Sequence, residues 1–204
     1  MCTQVTYAVT PNPPLVTVVI VNYNGGDMIC QCLTALERQS FQDFATVVVD
    51  NNSVDDSVVA IRKSHPNVAI LQLDKNLGFA GGVNCALQEK ALGTWVVLLN
   101  PDAFPTEDWL ENLVASAQCH PEYAAFGSRM FSDQDQRMLD GVGDVYHVSG
   151  LPWRKGHGCR NSPLYDQETE IFAPCAAAAL YRTSALTEIG PLDEDFFLYV
   201  EDVD

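Results

Sequence analysis

Three apolar runs in the first half of the chain end on clusters of asparagine and aspartate, with stretches of helical spacing after each. Leu15 to Val21 is almost continuously β-branched, as in strands buried on both faces of a parallel sheet. It stops at the turn Asn22-Tyr23-Asn24-Gly25-Gly26. Asp27 is placed to cap a helix in which Ile29, Leu33 and Leu36 recur at helical spacing as far as about Gln39. Ala45 to Val49 is a second strand and ends in Asp50-Asn51-Asn52-Ser53. Asp55 or Asp56 then caps a short helix that stops near Pro66. Val68 to Leu73 reads as a third strand, and Ala80 to Leu92 as a helix with Gly93 as its stop. Trp95 to Leu99 is a fourth strand, ending in Asn100-Pro101-Asp102, and Pro105 and Thr106 open a helix to about Gln118. Strand and helix alternating through short loops predict an α/β fold: a mostly parallel sheet flanked by helices.

The rhythm changes after Tyr123. Tyr123 to Phe131 has strand character, and residues 132–170 are polar and glycine-rich, a long irregular stretch of the kind that borders functional sites. Ile171 to Tyr181 is apolar, and a short helix beginning at Thr183 or Ser184 ends at Gly190-Pro191. Residues 1–14, with three prolines, read as an extended leader, and 15–204 as one domain.

Charge narrows the function. Eleven Lys and Arg stand against 27 Asp and Glu, a net charge of −16 over 204 residues. Such a chain lacks the cations that neutralise nucleic-acid phosphates or anionic lipid surfaces. An anionic ligand must be held by backbone N–H groups or through a bound metal ion. The seven cysteines show no disulfide-framework or zinc spacing, and reduced thiols in a cytosolic protein are expected. No Lys or Arg precedes Arg38, so a secretory signal is not expected, and no apolar run reaches the roughly 18 residues of a membrane span. The expected location is cytoplasmic, with seating at the inner face of the membrane through the acceptor or a partner left open.

In open α/β sheets, ligands bind beyond the carboxyl ends of the strands. Asn22 and Asn24, Asp50 to Ser53, and Asn100 with Asp102 stand there, which together favours a nucleotide pocket. No GxxxxGK[ST] loop is present, and Gly78-Phe79-Ala80-Gly81-Gly82 does not follow the dinucleotide fingerprint. A diphosphate without a basic clamp calls for a hard cation on carboxylates, and Asp102 is best placed to hold it.

Five segments then occur in a recognisable order: VTVVIVNYNG from Val16, VVDNNSVDDS from Val48, NLGFAGGVN from Asn76, LLNPDA from Leu98 and FFLYVEDVD from Phe196. From about Leu15 onward the chain resembles family 2 glycosyltransferases, in the rhamnosyltransferase-like branch where NPDA replaces the commoner DxD. The resemblance implies a GT-A fold with a nucleotide-sugar-binding half over 15–119 merged with an acceptor-side half over 120–204. It implies a nucleoside-diphosphate sugar donor held with Mg²⁺ or Mn²⁺, and a glycan or lipid-linked acceptor. Asn22 would lie beside the nucleotide base and Asp50 would hydrogen-bond the base or ribose, with Tyr23, Asn52, Asn76, Gly81 and Asn100 completing the donor site. Asp102 would reach the metal, and Asn100 leaves one carboxylate where two are common. Glu201-Asp202 matches the family's ED motif, with Asp202 as general base of an inverting transfer of a sugar, rhamnose among the candidates. The chain stops inside that motif, so a truncated member is expected. Two alternatives stay open: a non-catalytic nucleotide-sugar-binding fragment, and a sugar-nucleotide nucleotidyltransferase.

Other residues carry weaker expectations. His65 and His120 each precede a proline and read as helix-end or surface residues. Trp153 and Arg154 are candidates for the acceptor side, and Cys175 with the following alanines is expected to let backbone pack closely beside the site.

Overall fold

In a computed structural model of the chain, residues 13–89, 91–132, 135–198 and 202–203 are described; the expected leader falls almost wholly outside them. The alternation appears as β1 (Val16–Asn22), α1 (Gly26–Glu37), β2 (Phe44–Asp50), α2 (Ser57–Ser64), β3 (Ala69–Gln72), α3 (Gly78–Leu87), β4 (Trp95–Leu99) and α4 (Trp109–Cys119). β1 pairs in parallel with both β2 and β4, and β2 pairs in parallel with β3.

Every residue of β1 is buried, because its two faces serve two cores. Val16, Val18 and Ile20 pack with Ile29, Leu33 and Leu36 of α1 and with Leu110 and Leu113 of α4. Val19 and Val21 pack with Val83 and Ala86 of α3 on the other face. Burial of one such aliphatic side chain is worth about 1.5–3 kcal/mol, so a run of them fixes both the strand and its central place.

The second half builds β5 (Ala125–Gly127), β6 (Met130–Ser132), β7 (Asp135–Gly141), β8 (Asp144–Tyr146), β9 (Pro152–Arg154), β10 (Ala178–Arg182) and α5 (Thr183–Ile189). β10 joins the sheet antiparallel to β4, giving the order β3-β2-β1-β4-β10-β5. The stretch expected to be irregular is partly ordered: β6 pairs with β7 and β8 with β9 as two small antiparallel pairs. The expected strand over 123–131 is divided into β5 and β6.

Two boundaries differ from expectation for tertiary reasons. α3 ends at Leu87 rather than Leu92. Gly93 is not its stop; a Cβ there would come within 2.6 Å of the Pro14 and Leu15 carbonyl oxygens, and its N–H donates to Thr17 Oγ1 at 2.9 Å. α4 starts at Trp109 rather than near Pro105, and its start is served by buried Gln39, which accepts from Leu110 N at 2.9 Å and donates to Thr106 O at 2.7 Å. Among the described residues no helix is long and apolar enough to cross a membrane.

Candidate functional site

The strand order reverses at β1, since the chain runs outward through β2 and β3 and then returns to β4 on the other side. A crevice opens at such a point beyond the carboxyl ends of the strands. Asn22 and Asp50 end β1 and β2 in register with each other, both almost fully buried. Asn22 Nδ2 donates to Asp50 Oδ1 at 3.3 Å, Ser53 Oγ at 3.1 Å and Ser57 Oγ at 3.0 Å. Among the described residues its Oδ1 is buried without a partner, and it lies against Gly25, where a Cβ would come within 2.2 Å of it.

The loops after β1 and β2 are clasped together. Asn24 N donates to Ser53 Oγ at 2.9 Å, Val54 N to Asn24 Oδ1 at 2.8 Å, and Gly26 N to Asp55 Oδ2 at 2.9 Å. Burial works against the Asp55 anion, but donation from the Ser57 hydroxyl and from the Ser57 and Gly26 N–H groups outweighs it and lowers its pKa. Asn24 and Asn52 take positive φ of 54° and 64°, backbone that Asn tolerates better than most residues. Tyr23 and Asn52 are exposed beside this clasp.

Asn51, part of the expected strand-end cluster but given no role of its own there, ties β2 to α3: its Nδ2 donates to Gly78 O at 2.8 Å and its Oδ1 accepts from Leu77 N at 2.8 Å. Asn76 accepts from Gly78 N at 2.8 Å and so shapes the same turn. Gly81 faces Leu77, whose Cβ a side chain there would meet at 2.7 Å.

A cavity of about 250 Å³ lies beyond β4. Asn100 borders it with Phe79, Asp144, Trp153, Arg154, Cys175 and Asp202. The β8–β9 pair sets Asp144 opposite Arg154, and the Asp144 N–H donates to Ala173 O at 2.8 Å. Arg154 meets Asp140 at 2.6 Å and Asp144 at 3.9 Å, and donates to Cys175 Sγ at 2.9 Å. Burial and then the nearby Asp202 raise the pKa of Asp144, with Arg154 opposing them. Asp202 Oδ2 accepts from Ala176 N at 2.9 Å. Glu201 lies outside the described residues.

Asp144, Cys175 and Asp202 bring one potential ligand atom each within 4.8 Å of one another. Arg154 already supplies positive charge to this group, and burial keeps the Cys175 thiol above its ordinary pKa, a poor state for a ligand. Asp102 stands apart: it is exposed, and no other described side chain is bonded to its carboxylate. Burial and then the charge of Asp102 push the Cys32 thiol up to about 12. An accessible carboxylate beyond a rigid strand fits a hard cation whose remaining ligands are ligand oxygens and water.

Nothing in the sequence singles out Asp144; only folding of the β8–β9 pair brings it to Asp202. His65 and His120 do terminate α2 and α4, yet His65 is buried, 2.7 Å from Glu37.

A family model for glycosyl transferase family 2 matches residues 17–190. The chain is 26% identical over 210 residues to N-acetylglucosaminyl-diphospho-decaprenol L-rhamnosyltransferase of Mycobacterium tuberculosis, covering 92% of this chain and 67% of that protein. Among solved structures, residues 1–349 of S. aureus TarS in complex with UDP align with a TM-score of 0.64 at 22% identity, over 92% of this chain and 52% of that one. Mannosyltransferase PcManGT from Pyrobaculum calidifontis, in complex with GDP-Man and Mn²⁺, aligns with a TM-score of 0.65 at 23% identity, over 97% and 53%. The chain thus spans about half the length of these structural neighbours, which share its GT-A fold.

Proposed function

Because the chain belongs to glycosyl transferase family 2, we propose that it transfers a sugar from a nucleoside diphosphate to an acceptor hydroxyl, with inversion at the anomeric carbon. The observation that carries this reading is the meeting of Asn100 and Asp202 at one cavity beyond β4. Residues 15–119 form the donor half and 120–204 the acceptor side. Asn22 and Asp50 shape the nucleoside end, with Tyr23 and Asn52 at its rim, and Asn76 and Gly81 maintain the turn that borders it. The cavity volume suits one sugar ring better than a whole nucleotide sugar.

In the proposed reaction the acceptor oxygen attacks the anomeric carbon from the face opposite the diphosphate. The new C–O bond forms as the bond to the diphosphate oxygen breaks, and the leaving group takes that electron pair. The hydroxyl proton passes to the carboxylate of Asp202, with Glu201 as its neighbour in sequence. The Ala176 N–H holds Oδ2 of Asp202, which fixes the direction in which the carboxylate faces the cavity. Asp102 would hold Mg²⁺ or Mn²⁺, which when bound offsets the charge developing on the diphosphate. Similarity to the mycobacterial enzyme supports a donor such as a rhamnose nucleotide and a lipid-linked acceptor.

Thermal unfolding against UDP-, dTDP- and GDP-sugars, each with and without Mn²⁺, tests the donor site. Ligand at ~100 times its dissociation constant stabilises the fold by about 2.7 kcal/mol. The expected result is a metal-dependent shift for one nucleotide that Asp102→Ala removes. No shift with any donor overturns the assignment. Transfer that survives Asp202→Asn at the full rate removes Asp202 as the base.

A further inference from the structure

The segment over residues 190–198, which precedes Asp202 in the chain, is tied down along α3. It leaves α5 at Gly190, passes Leu192 and makes a 3₁₀ turn over Glu194–Phe196. Asn84, buried on α3, is its main anchor. Its Nδ2 donates to Leu192 O at 2.9 Å and to Glu194 Oε1 at 3.1 Å, while its Oδ1 accepts from Leu192 N at 2.9 Å. Both ends of one buried amide are thus spent on a segment 108 residues away. A second tie lies five residues earlier in α3, where Phe79 N donates to Phe197 O at 2.7 Å. That approach requires Gly78, because a Cβ there would come within 2.2 Å of the same oxygen.

We propose that Asn84, through its three hydrogen bonds to Leu192 and Glu194, is a positioning residue that holds Asp202 against Ala176 N and so aims it into the cavity. This rests on the reading of Asp202 as general base. The physical case is one of constraint. Asp202 follows Phe197 by five residues, and its own described hydrogen bond comes from the Ala176 N–H, in the turn that leads into β10. Phe79 of α3, Leu198 of the tied segment and Asp202 border one cavity, so a shift of the segment along α3 displaces the carboxylate from the reacting centre. Neutral polar anchors suit this task. A buried amide with every partner present fixes one register, whereas apolar packing alone tolerates sliding. Misplacement by about 1 Å of a group that must meet a reacting atom costs on the order of a hundredfold in rate.

The test uses the whole chain with Asn84→Ala and with Glu194→Ala, an exposed position whose loss does not threaten the core. Hydrogen exchange at the Ala176 amide is the direct readout, with β1 amides as the internal control. Faster exchange at Ala176 by about tenfold or more in both variants, with β1 unchanged, is expected. The second readout is release of nucleoside diphosphate from the donor that stabilises the protein, with water as acceptor. Here kcat should fall on the order of tenfold or more in Asn84→Ala while donor KM stays within about twofold. Unchanged Ala176 exchange in Glu194→Ala overturns the inference, even where Asn84→Ala fails to fold. So does a loss of donor affinity equal to the loss of rate. Loss of rate in Asp202→Asn together with wild-type behaviour in Asn84→Ala overturns this inference alone. A wild-type rate in Asp202→Asn removes the base reading, while the exchange result still decides whether Asn84 holds the segment.

Discussion

Asn22 and Asp50, 28 residues apart, end two adjacent parallel strands in register and hydrogen-bond at 3.3 Å inside the protein. The bond decides which way the Asn22 amide points: the NH₂ must face the carboxylate, which leaves the carbonyl oxygen buried under Gly25. An unsatisfied buried acceptor costs about 1–3 kcal/mol, and the fold carries it where the donor is proposed to bind.

Gly25→Ala is expected to weaken nucleotide binding more than it weakens the fold. The added Cβ would meet Asn22 Oδ1 at 2.2 Å, and the loop after β1, rather than the buried strand, has the freedom to move. Isothermal titration with the stabilising nucleotide should show affinity falling tenfold or more, about 1.4 kcal/mol. Unaltered affinity would show that the loop can shift without touching the donor.

Gly93→Ala should destabilise the whole domain by about 1–3 kcal/mol, the range for overpacking a tight site. The Cβ would press on two backbone carbonyls at the entry to β1, which cannot rotate away as a side chain does. Urea unfolding gives the number, and a change below about 0.5 kcal/mol would contradict the close approach.

Asp55→Asn should cost stability at neutral pH and progressively less in acid. The folded carboxyl has a pKa below its ordinary 3.8, so the folded state binds this proton more weakly than the unfolded chain. Its contribution is therefore present above the unfolded value and is lost as pH falls through the folded one. Unfolding midpoints of the two proteins should converge below about pH 4; a gap constant with pH would refute the clasp's electrostatic origin.

Cys32 should resist alkylation at pH 8 while the native protein modifies readily at exposed Cys119 and Cys159. Burial and the charge of Asp102 hold the Cys32 thiol near 12, leaving almost no thiolate, and thiolate is the reactive form. Peptide mass spectrometry after iodoacetamide treatment distinguishes the sites. Rapid labelling at Cys32 would mean that α1 opens away from β4.

Sequence alone determined the parallel core. The β-branched run ending at Asn22 is buried on both faces, and the polar clusters after β1, β2 and β4 mark one edge of the sheet. These features are local: side-chain type and spacing dictate strand, helix and turn before any distant contact forms. The same locality explains what was illegible. Gly93 reads as a helix stop until β1 lies against it, and Gln39 reads as the tail of one helix until it caps another. Asp144 gains its place beside Asp202 only when the β8–β9 pair forms and Asp144 bridges to Ala173, and Asn84 becomes an anchor only when a segment 108 residues later crosses α3. Composition and periodicity carry the free energy of burial, which depends on each residue's own surface. Sites depend on which backbone and charge arrive from elsewhere in the chain, and only the tertiary structure decided that.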